Sequence, residues 1–316
     1  MTVKDLHVRA WVLLGLLLGV TVWPSPGCRE DQVRRKRLSE KLFWLGRDYY
    51  GKAINARSQA AQEKFLEEAF SNLRKAIRAD QKNYLARNML GFLYLQRADR
   101  ELGMVQVAQC LKGVDGREGR KRADSLFEMA KKEFKKVTSV SSTCTNSWLG
   151  RVSVAMHFEQ YAEAVRLCRK VLDIMSSSSP KPSCSSQGDR AVAWANLGWA
   201  RFKLGETAQA ENALKRALFL APKLYLARYW LGRVLFARKR YAEAAKELSR
   251  TTKEFGLPQA AFEYLGLSLA RQGRKKEAAE ALAACIQVAP RSCAADECRK
   301  YQKLMVGSSG RQGAGS

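Results

Sequence analysis

The sequence predicts an all-α protein, a right-handed superhelical solenoid of about six helical hairpins with a capping helix at the carboxyl end. Two observations predict this fold class. Leu197-Gly198, Leu231-Gly232 and Leu265-Gly266 recur 34 residues apart, and a fixed period of this length is typical of stacked helical repeats. The chain of 316 residues is 46% hydrophobic and 27% charged, which is enough to bury the core of one elongated domain or two compact ones.

The amino-terminal segment, residues 1–28, is predicted to be an export signal. Basic residues up to Arg9 precede an uncharged apolar run from Trp11 to Trp23, and small residues and prolines follow it. The run is too short for a confident membrane-spanning helix, and this order of segments is that of a secretory signal. We therefore expect the protein to be exported.

Cys28 is the predicted lipidation site. Gly27-Cys28 resembles the end of a bacterial lipobox, although Ser25 and Pro26 depart from the usual residues. Acylation would anchor the chain to a membrane. If the chain is lipidated, its resemblance to the lipoproteins of bacteria with two membranes implies, from Arg29 rather than Asp after the cysteine, sorting to the outer membrane with the protein facing the periplasm. Because Ser25 and Gly27 also suit ordinary signal cleavage, release as a soluble periplasmic protein is the alternative.

Small residues recur in step on the second helix of each predicted hairpin. Ala210, Ala244 and Ala278 keep the 34-residue step, as do Leu214, Leu248 and Leu282, and Pro222 and Pro290 follow. These positions resemble those of the tetratricopeptide repeat. Glycine and alanine allow the two helices of a hairpin to cross closely, the large residue fills the space between hairpins, and proline ends the second helix.

The predicted domain organisation follows from these repeats. The segments in order are 36–175 (repeats one to three, with a turn at 55–64 and an insertion at 98–122), 176–190 (a Ser/Pro-rich flexible loop without a core), 191–292 (repeats four to six), 293–306 (a capping helix) and 307–316 (a disordered tail).

The cysteines beyond Cys28 have two predicted roles. Cys168 and Cys285 occupy repeat positions for small apolar residues, which predicts buried free thiols. Cys293 with Cys298, or Cys144 with Cys184, are candidate disulfides in an exported chain, and spacing alone does not determine the pairing.

The sequence favours a protein that is not an enzyme. His7 lies in the signal and His157 is expected to be a surface residue in a turn. Glycine-rich phosphate loops, HExxH and zinc-type cysteine spacings are missing from the sequence, which predicts no cofactor, metal or small-molecule substrate.

The formal net charge of +26 would attract anionic surfaces, but a solvated cationic surface is the preferred interpretation. Since the sequence has no zinc-finger, RNP-like or basic-zipper pattern, no specific nucleic acid is expected.

A partner-binding groove is predicted on the concave face, which first helices line in this fold. Aromatic and arginine side chains are the usual anchors of a bound protein segment. The alternative is that these side chains pack against neighbouring helices. The candidate residues are Phe92, Trp199, Phe202, Tyr229, Arg233 and Phe236.

The chain is similar to the tetratricopeptide pilotin lipoproteins of type IV pilus biogenesis. The segments Ala193–Pro222 and Cys285–Cys293 show the likeness best, and it extends over about Arg37–Tyr301. The resemblance implies an outer-membrane lipoprotein without an active site that binds a secretin and helps it assemble. The alternative is a generic envelope scaffold that binds cell-wall enzymes or anionic polymer.

Overall fold

The computed structural model describes residues 26–110, 116–177, 184–252 and 259–307, which form thirteen α-helices and no strand. The predicted signal up to residue 25 and the predicted tail from residue 308 lie outside the described residues. The backbone of Cys28 lies in α1, and its side chain is outside the described part. The helices are α1 Pro26–Ile54, α2 Gln59–Ala79, α3 Tyr84–Cys110, α4 Arg117–Val140, α5 Thr145–His157, α6 Tyr161–Ser176, α7 Asp189–Lys203, α8 Thr207–Leu220, α9 Tyr225–Ala237, α10 Tyr241–Thr251, α11 Ala260–Ala270, α12 Lys275–Val288 and α13 Cys293–Gly307.

The helices pair into successive antiparallel hairpins in two compact units. The described residues up to Asn83 form the first unit, which contains the hairpin α1–α2, and the described residues from Tyr84 onward form the second. Within the second unit each helix packs on the next, and the first helices α5, α7, α9 and α11 also contact one another in order. The predicted all-α helical-repeat architecture is therefore confirmed. Among the described helices none is long and apolar enough to cross a bilayer.

The small residues lie where the two helices of each hairpin cross. The repeated alanines of the second helices, including Ala210 and Ala244, are fully buried. A Cβ built on Gly198 would lie 2.6 Å from Cγ of Leu214, and one on Gly232 would lie 2.6 Å from Cγ of Leu248. Glycine is thus required by the close approach of the partner helix, as the sequence predicts.

Phe134 departs from this regular scheme. Its ring lies against Gly91 of its own hairpin and also against Gly150 of the next one, so that one side chain fills two crossing sites. Cys168 was predicted at a position for small apolar residues, but it stands four residues after Ala164, the position that Leu214 and Leu248 hold in the regular repeats. Both Phe134 and Cys168 are fully buried. We infer that the large ring of one hairpin compensates for the small residue of the next, since interiors are packed to nearly constant density.

Two predicted irregular segments are helical. The turn predicted at residues 55–64 covers only residues 55–58, because Ser58 caps α2 by accepting a hydrogen bond from the Ala61 amide at 3.2 Å. The predicted insertion, residues 98–122, lengthens α3 and α4 into a long hairpin, and residues 111–115 lie outside the described part.

The Ser/Pro-rich segment, predicted to lack a core, contributes buried residues after residue 183. Cys184 is buried and disulfide-bonded to Cys144, with 5.4 Å between the two Cα atoms, so this candidate pair is formed. Asp189 is also buried and accepts hydrogen bonds from the hydroxyls of Thr145 and Ser186. The prediction of a coreless loop was therefore wrong for residues 184–190, and residues 178–183 lie outside the described part.

The remaining cysteine predictions divide into one that is confirmed and two that are wrong. Cys168 is a buried free thiol, and burial raises its pKa to about 12. Cys285, predicted to be free, is bonded to Cys298, with 6.5 Å between their Cα atoms. The predicted Cys293–Cys298 bridge does not form, because Cys298 is bonded to Cys285 and Cys293 is itself in another disulfide. Cys293 and Cys298 both lie on α13. Five residues apart on a helix, their Cα atoms are about 8 Å apart and face different sides.

Candidate protein-binding face

Three consecutive first helices place a row of aromatic side chains and one arginine side by side. On α9, Tyr229, Arg233 and Phe236 are spaced four and three residues apart, so they project from one side of the helix. The neighbouring α7 and α11 flank α9 on its two sides. We call this surface the first-helix face. Its residues are Trp199 and Phe202 on α7, Tyr229, Arg233 and Phe236 on α9, and Tyr264 on α11.

Arg233 is held at the centre of the first-helix face by three aromatic rings. Its guanidinium carbon lies 4.8 Å from the ring centroid of Trp199, 4.7 Å from that of Tyr264 and 5.8 Å from that of Tyr229. Its Nη2 also donates a hydrogen bond to the Tyr264 hydroxyl at 3.2 Å. Contacts of a guanidinium with ring faces are attractive, and they orient the planar donor group.

The Nε of Arg233 is buried and has no hydrogen-bond partner among the described residues. A buried donor without an acceptor is costly, because it has lost its hydration and gained no hydrogen bond. A carbonyl or carboxylate of a bound protein segment would provide the acceptor. The arrangement is therefore suited to binding such a group at a fixed point and orientation.

The rings around Arg233 also contact one another. The rings of Trp199 and Trp230 stack with centroids 5.4 Å apart and an interplanar angle of 11°. Phe202 lies 5.2 Å from Trp199, and Phe236 lies edge-on to Tyr264 at 5.5 Å. Such offset and edge-to-face pairs add stability beyond the area that they bury. Rings that already pack on one another in the unbound chain have less freedom to lose when a partner binds, which lowers the entropic cost of binding.

Acidic groups lie on the α11 side of this face. Burial and the charge of Glu297 raise the pKa of Glu263, and the charge of Arg233 opposes them. Burial raises the pKa of Tyr229, while Arg233 acts in the opposite direction. Burial and the charges of Glu263 and Glu297 raise the pKa of Tyr301. Glu263 on α11 therefore lies within electrostatic reach of Arg233, and burial works against its ionisation.

Five of the six predicted groove residues lie together around Arg233. Phe92 lies apart from them on α3, where its ring is edge-on to that of Phe134 at 5.1 Å. Tyr229 is only 7% exposed and belongs to the packed core, so it supports Arg233 rather than offering contact area. The alternative interpretation, packing between helices, describes Tyr229 fully and Phe202 and Phe236 in part, because these two rings pack against the same core. The rings of Trp199 and Phe236 are partly exposed.

His157, expected to be a surface residue, is largely packed. Its ring stacks on that of Phe127 at 3.7 Å, and its Nε2 is 2.7 Å from a carboxylate oxygen of Asp124. It joins the end of α5 to α4, a structural role. Within the described part of the chain, no cluster of His, Cys, Asp and Glu has the arrangement of a metal site.

Comparison with known proteins identifies the kind of repeat. Residues 196–256 and 241–291 match the family model of the tetratricopeptide repeat. No curated protein sequence matches the chain significantly. Among solved structures, PilF of Pseudomonas aeruginosa is similar, with a TM-score of 0.59, 17% identity, and coverage of 84% of this chain and 99% of PilF. PilW, described as a widely conserved type IV pilus biogenesis factor, has a TM-score of 0.58, 17% identity, and coverage of 82% of this chain and 97% of PilW.

The chain has the tetratricopeptide-repeat fold. Proteins with these repeats generally act as non-catalytic scaffolds that bind other proteins. The first-helix face lies within the part of the chain that matches the repeat family, since its residues, from Trp199 to Tyr264, all fall within residues 196–291. The repeat fold therefore sets the backbone positions of the face, and the side chains at those positions are particular to this chain.

Sequence reasoning missed residues of the face for one reason. Trp230 and Tyr264 each directly precede a Leu-Gly pair, a column of the repeat that the predicted groove did not include. The same column supplies Tyr264, whose ring lies against Arg233, and Trp230, whose ring stacks on that of Trp199. The signal was thus present in the sequence, as an aromatic residue in that column of adjacent repeats. Glu263 gave no such signal, because its environment depends on Glu297 from another helix.

Proposed function

We propose that this chain is a non-catalytic scaffold of the bacterial cell envelope that acts in type IV pilus biogenesis as a pilotin-like factor. In this proposal the first-helix face binds a segment of a secretin and helps the secretin assemble. The chain is exported and attached through Cys28 to the outer membrane, facing the periplasm. A soluble periplasmic form remains the alternative location.

The observation that favours a protein ligand is the arrangement of Arg233. A guanidinium fixed by three rings, with a buried Nε that has no acceptor among the described residues, is suited to a carbonyl or carboxylate on an extended chain. The partly exposed rings of Trp199 and Phe236 offer apolar contact beside it. The similarity of the fold to PilF and PilW supports the assignment to pilus biogenesis.

The test of the binding role is an Arg233→Lys variant expressed in place of the natural chain. Lysine keeps the charge but cannot present the planar donor group, so we expect at least about tenfold weaker recovery of crosslinked secretin from native envelopes. The matched control is Arg291→Lys, an exposed arginine after α12. Secretin recovery unchanged in Arg233→Lys, with both variants folded by circular dichroism, would contradict the role of this face.

The test of the pilotin role is the secretin itself. Deletion of the chain is expected to abolish heat-resistant secretin multimers on denaturing gels, and Cys28→Ser is expected to abolish palmitate labelling. Unchanged multimers in the deletion strain would refute the pilotin role and leave the scaffold role open. Palmitate labelling that persists in Cys28→Ser would refute the anchor.

A second candidate is a general envelope scaffold that binds cell-wall enzymes or anionic polymer, and the net charge of +26 favours it. It predicts that the chain sediments with peptidoglycan in a salt-sensitive manner and that no secretin is recovered with it. Salt-independent sedimentation, or recovery of secretin, would count against it.

A further inference from the structure

A second surface lies on the opposite side of α7 from the first-helix face. Arg190, Trp194 and Arg201 are four and seven residues apart on α7, so they share one side of the helix. Trp199 lies nine residues after Arg190, which is about two and a half turns of the helix. It therefore projects from the opposite side of α7. These α7 residues line a groove of about 570 Å³ between α6 and α8. We call it the arginine groove.

Arginines from three helices surround the arginine groove. Arg169 comes from α6, Arg190 and Arg201 from α7, and Arg216 from α8, whereas Asp173 is the one acidic residue in the lining. In the described part of the chain, Arg169, Arg190 and Arg216 form no ion pair. Four arginines gathered around a single carboxylate leave an excess of positive charge, and a bound anion would relieve their mutual repulsion.

Arg201 lies deeper than the other three. Its Nε is buried and has no hydrogen-bond partner among the described residues, because the nearest carboxylate oxygen, from Glu206, is 3.6 Å away. That distance allows an ion pair but is too long for a hydrogen bond. A ligand oxygen in the groove would satisfy this donor.

The floor of the arginine groove is apolar. Leu197 and Ala213 are buried beneath it, and Trp194 is stacked under the guanidinium of Arg216 at 4.8 Å. A second hollow of about 650 Å³ continues along α6 past Arg169, with Trp148 in its lining. The combined surface is longer than a single ion requires and alternates between cationic and apolar areas.

We propose that the arginine groove binds an acidic segment of a protein partner, with carboxylates on the arginines and an apolar side chain beside Trp194. An inorganic phosphate or a lipid headgroup would leave the apolar floor uncovered, and Asp173 would repel a uniformly charged polyanion. The groove is separate from the first-helix face, so the chain would have two protein-binding surfaces. This proposal does not depend on the partner of the first-helix face.

The test uses the full chain and a fluorescein-labelled synthetic peptide in which aspartate and glutamate alternate with leucine and tryptophan. Fluorescence anisotropy at about 150 mM salt suppresses long-range attraction between exposed charges. We expect saturable binding that becomes at least about tenfold weaker in the double variant Arg169→Glu, Arg216→Glu. The matched control is Lys223→Glu, Arg291→Glu, which changes the net charge equally at exposed positions outside the groove.

Three results would overturn the proposal. The first is that the peptide shows no saturable binding, and the second is that the groove variant and the charge control weaken its binding equally. The third is that phosphatidylglycerol vesicles or inorganic phosphate also bind, and that their binding depends on the groove arginines as strongly as that of the peptide. Arg233→Lys is expected to bind the acidic peptide like the natural chain. A negative result for the arginine groove can therefore be distinguished from a negative result for protein binding by the first-helix face.

Discussion

At the scale of single residues, the repeat depends on glycine where the helices of a hairpin cross. Gly232 illustrates this, since an added Cβ would meet three carbon atoms of the Leu248 side chain within 3.3 Å. A Cβ built in the same way on Gly51, in α1, would have no neighbouring atom within 4 Å. The two positions differ in packing although both lie in helices, and this difference gives a controlled experiment.

We expect Gly232→Ala to lower the free energy of unfolding by about 1–3 kcal/mol, because the added methyl group forces α9 and α10 apart. Gly51→Ala should be neutral or stabilising by about 0.5–1 kcal/mol, since alanine is the better helix former. Urea unfolding of both variants measures the two effects. Equal changes in the two variants would show that close packing is not what requires glycine at position 232.

Lys239 is strained in a position where the neighbouring repeats have glycine. Gly205, Lys239 and Gly273 are 34 residues apart, and all three have positive φ, at 84°, 59° and 76°. A lysine in this conformation has a steric cost that glycine avoids. We expect Lys239→Gly to stabilise the fold by up to about 1 kcal/mol, seen as a higher urea midpoint with an unchanged slope. A lower midpoint would contradict this account.

At the scale of elements, Phe134 and Cys168 form a size-compensated pair between α4 and α6. Phe134→Leu is expected to cost about 1–3 kcal/mol, because it leaves space beside Gly150. Cys168→Leu alone should also destabilise the fold, because the core there is already filled. In the double variant leucine occupies both positions, as in the regular repeats. We therefore expect it to be more stable than the sum of the single changes predicts. Strict additivity in this cycle would contradict compensation.

A buried carboxylate joins α8 to the turn between α9 and α10. Glu211 is 3% exposed and accepts hydrogen bonds from Arg238 and Arg240, with Lys215 Nζ 2.6 Å away. Burial alone would raise the pKa of the Glu211 carboxyl, but the hydrogen bonds and charges of Lys215 and Arg240 outweigh burial and lower it. The ionised carboxylate therefore stabilises the folded state.

The lowered pKa of Glu211 gives a pH-dependent prediction. Its contribution to stability is present above the pKa of an unfolded glutamate, about 4.3, and is lost as the pH falls through the lower folded value. We expect Glu211→Gln to cost about 2 kcal/mol at neutral pH and much less at low pH. Urea unfolding as a function of pH measures this convergence. A constant difference between the two proteins across this range would contradict it.

At the scale of the whole molecule, the sequence predicts the regular part of the fold well. The columns of glycine, alanine and leucine, such as Gly198 with Leu214, are local in sequence and bring together the same residues in each hairpin. The positions of disulfides were harder to predict. The Cys285–Cys298 bond depends on how α13 packs on α12, and no spacing rule contains that information.

The candidate site was predictable in outline only. Periodicity placed Trp199, Arg233 and Phe236 on first helices, and the structure brings them together. Sequence alone could not show that the Arg233 Nε is buried without an acceptor, or that Phe92 lies apart. The arginine groove was also not predictable, because its four arginines come from three helices that meet only in the folded chain.

The most direct test of the central claim, that the first-helix face binds a protein, is site-specific photocrosslinking in living cells. Benzoylphenylalanine is incorporated at Phe202 or Phe236 on the face, and at the exposed Val140 on α4 as a control. The account predicts that both face positions crosslink to the same single protein and that Val140 does not. Absence of a crosslinked protein at both face positions, or the same crosslinked product at all three, would contradict it.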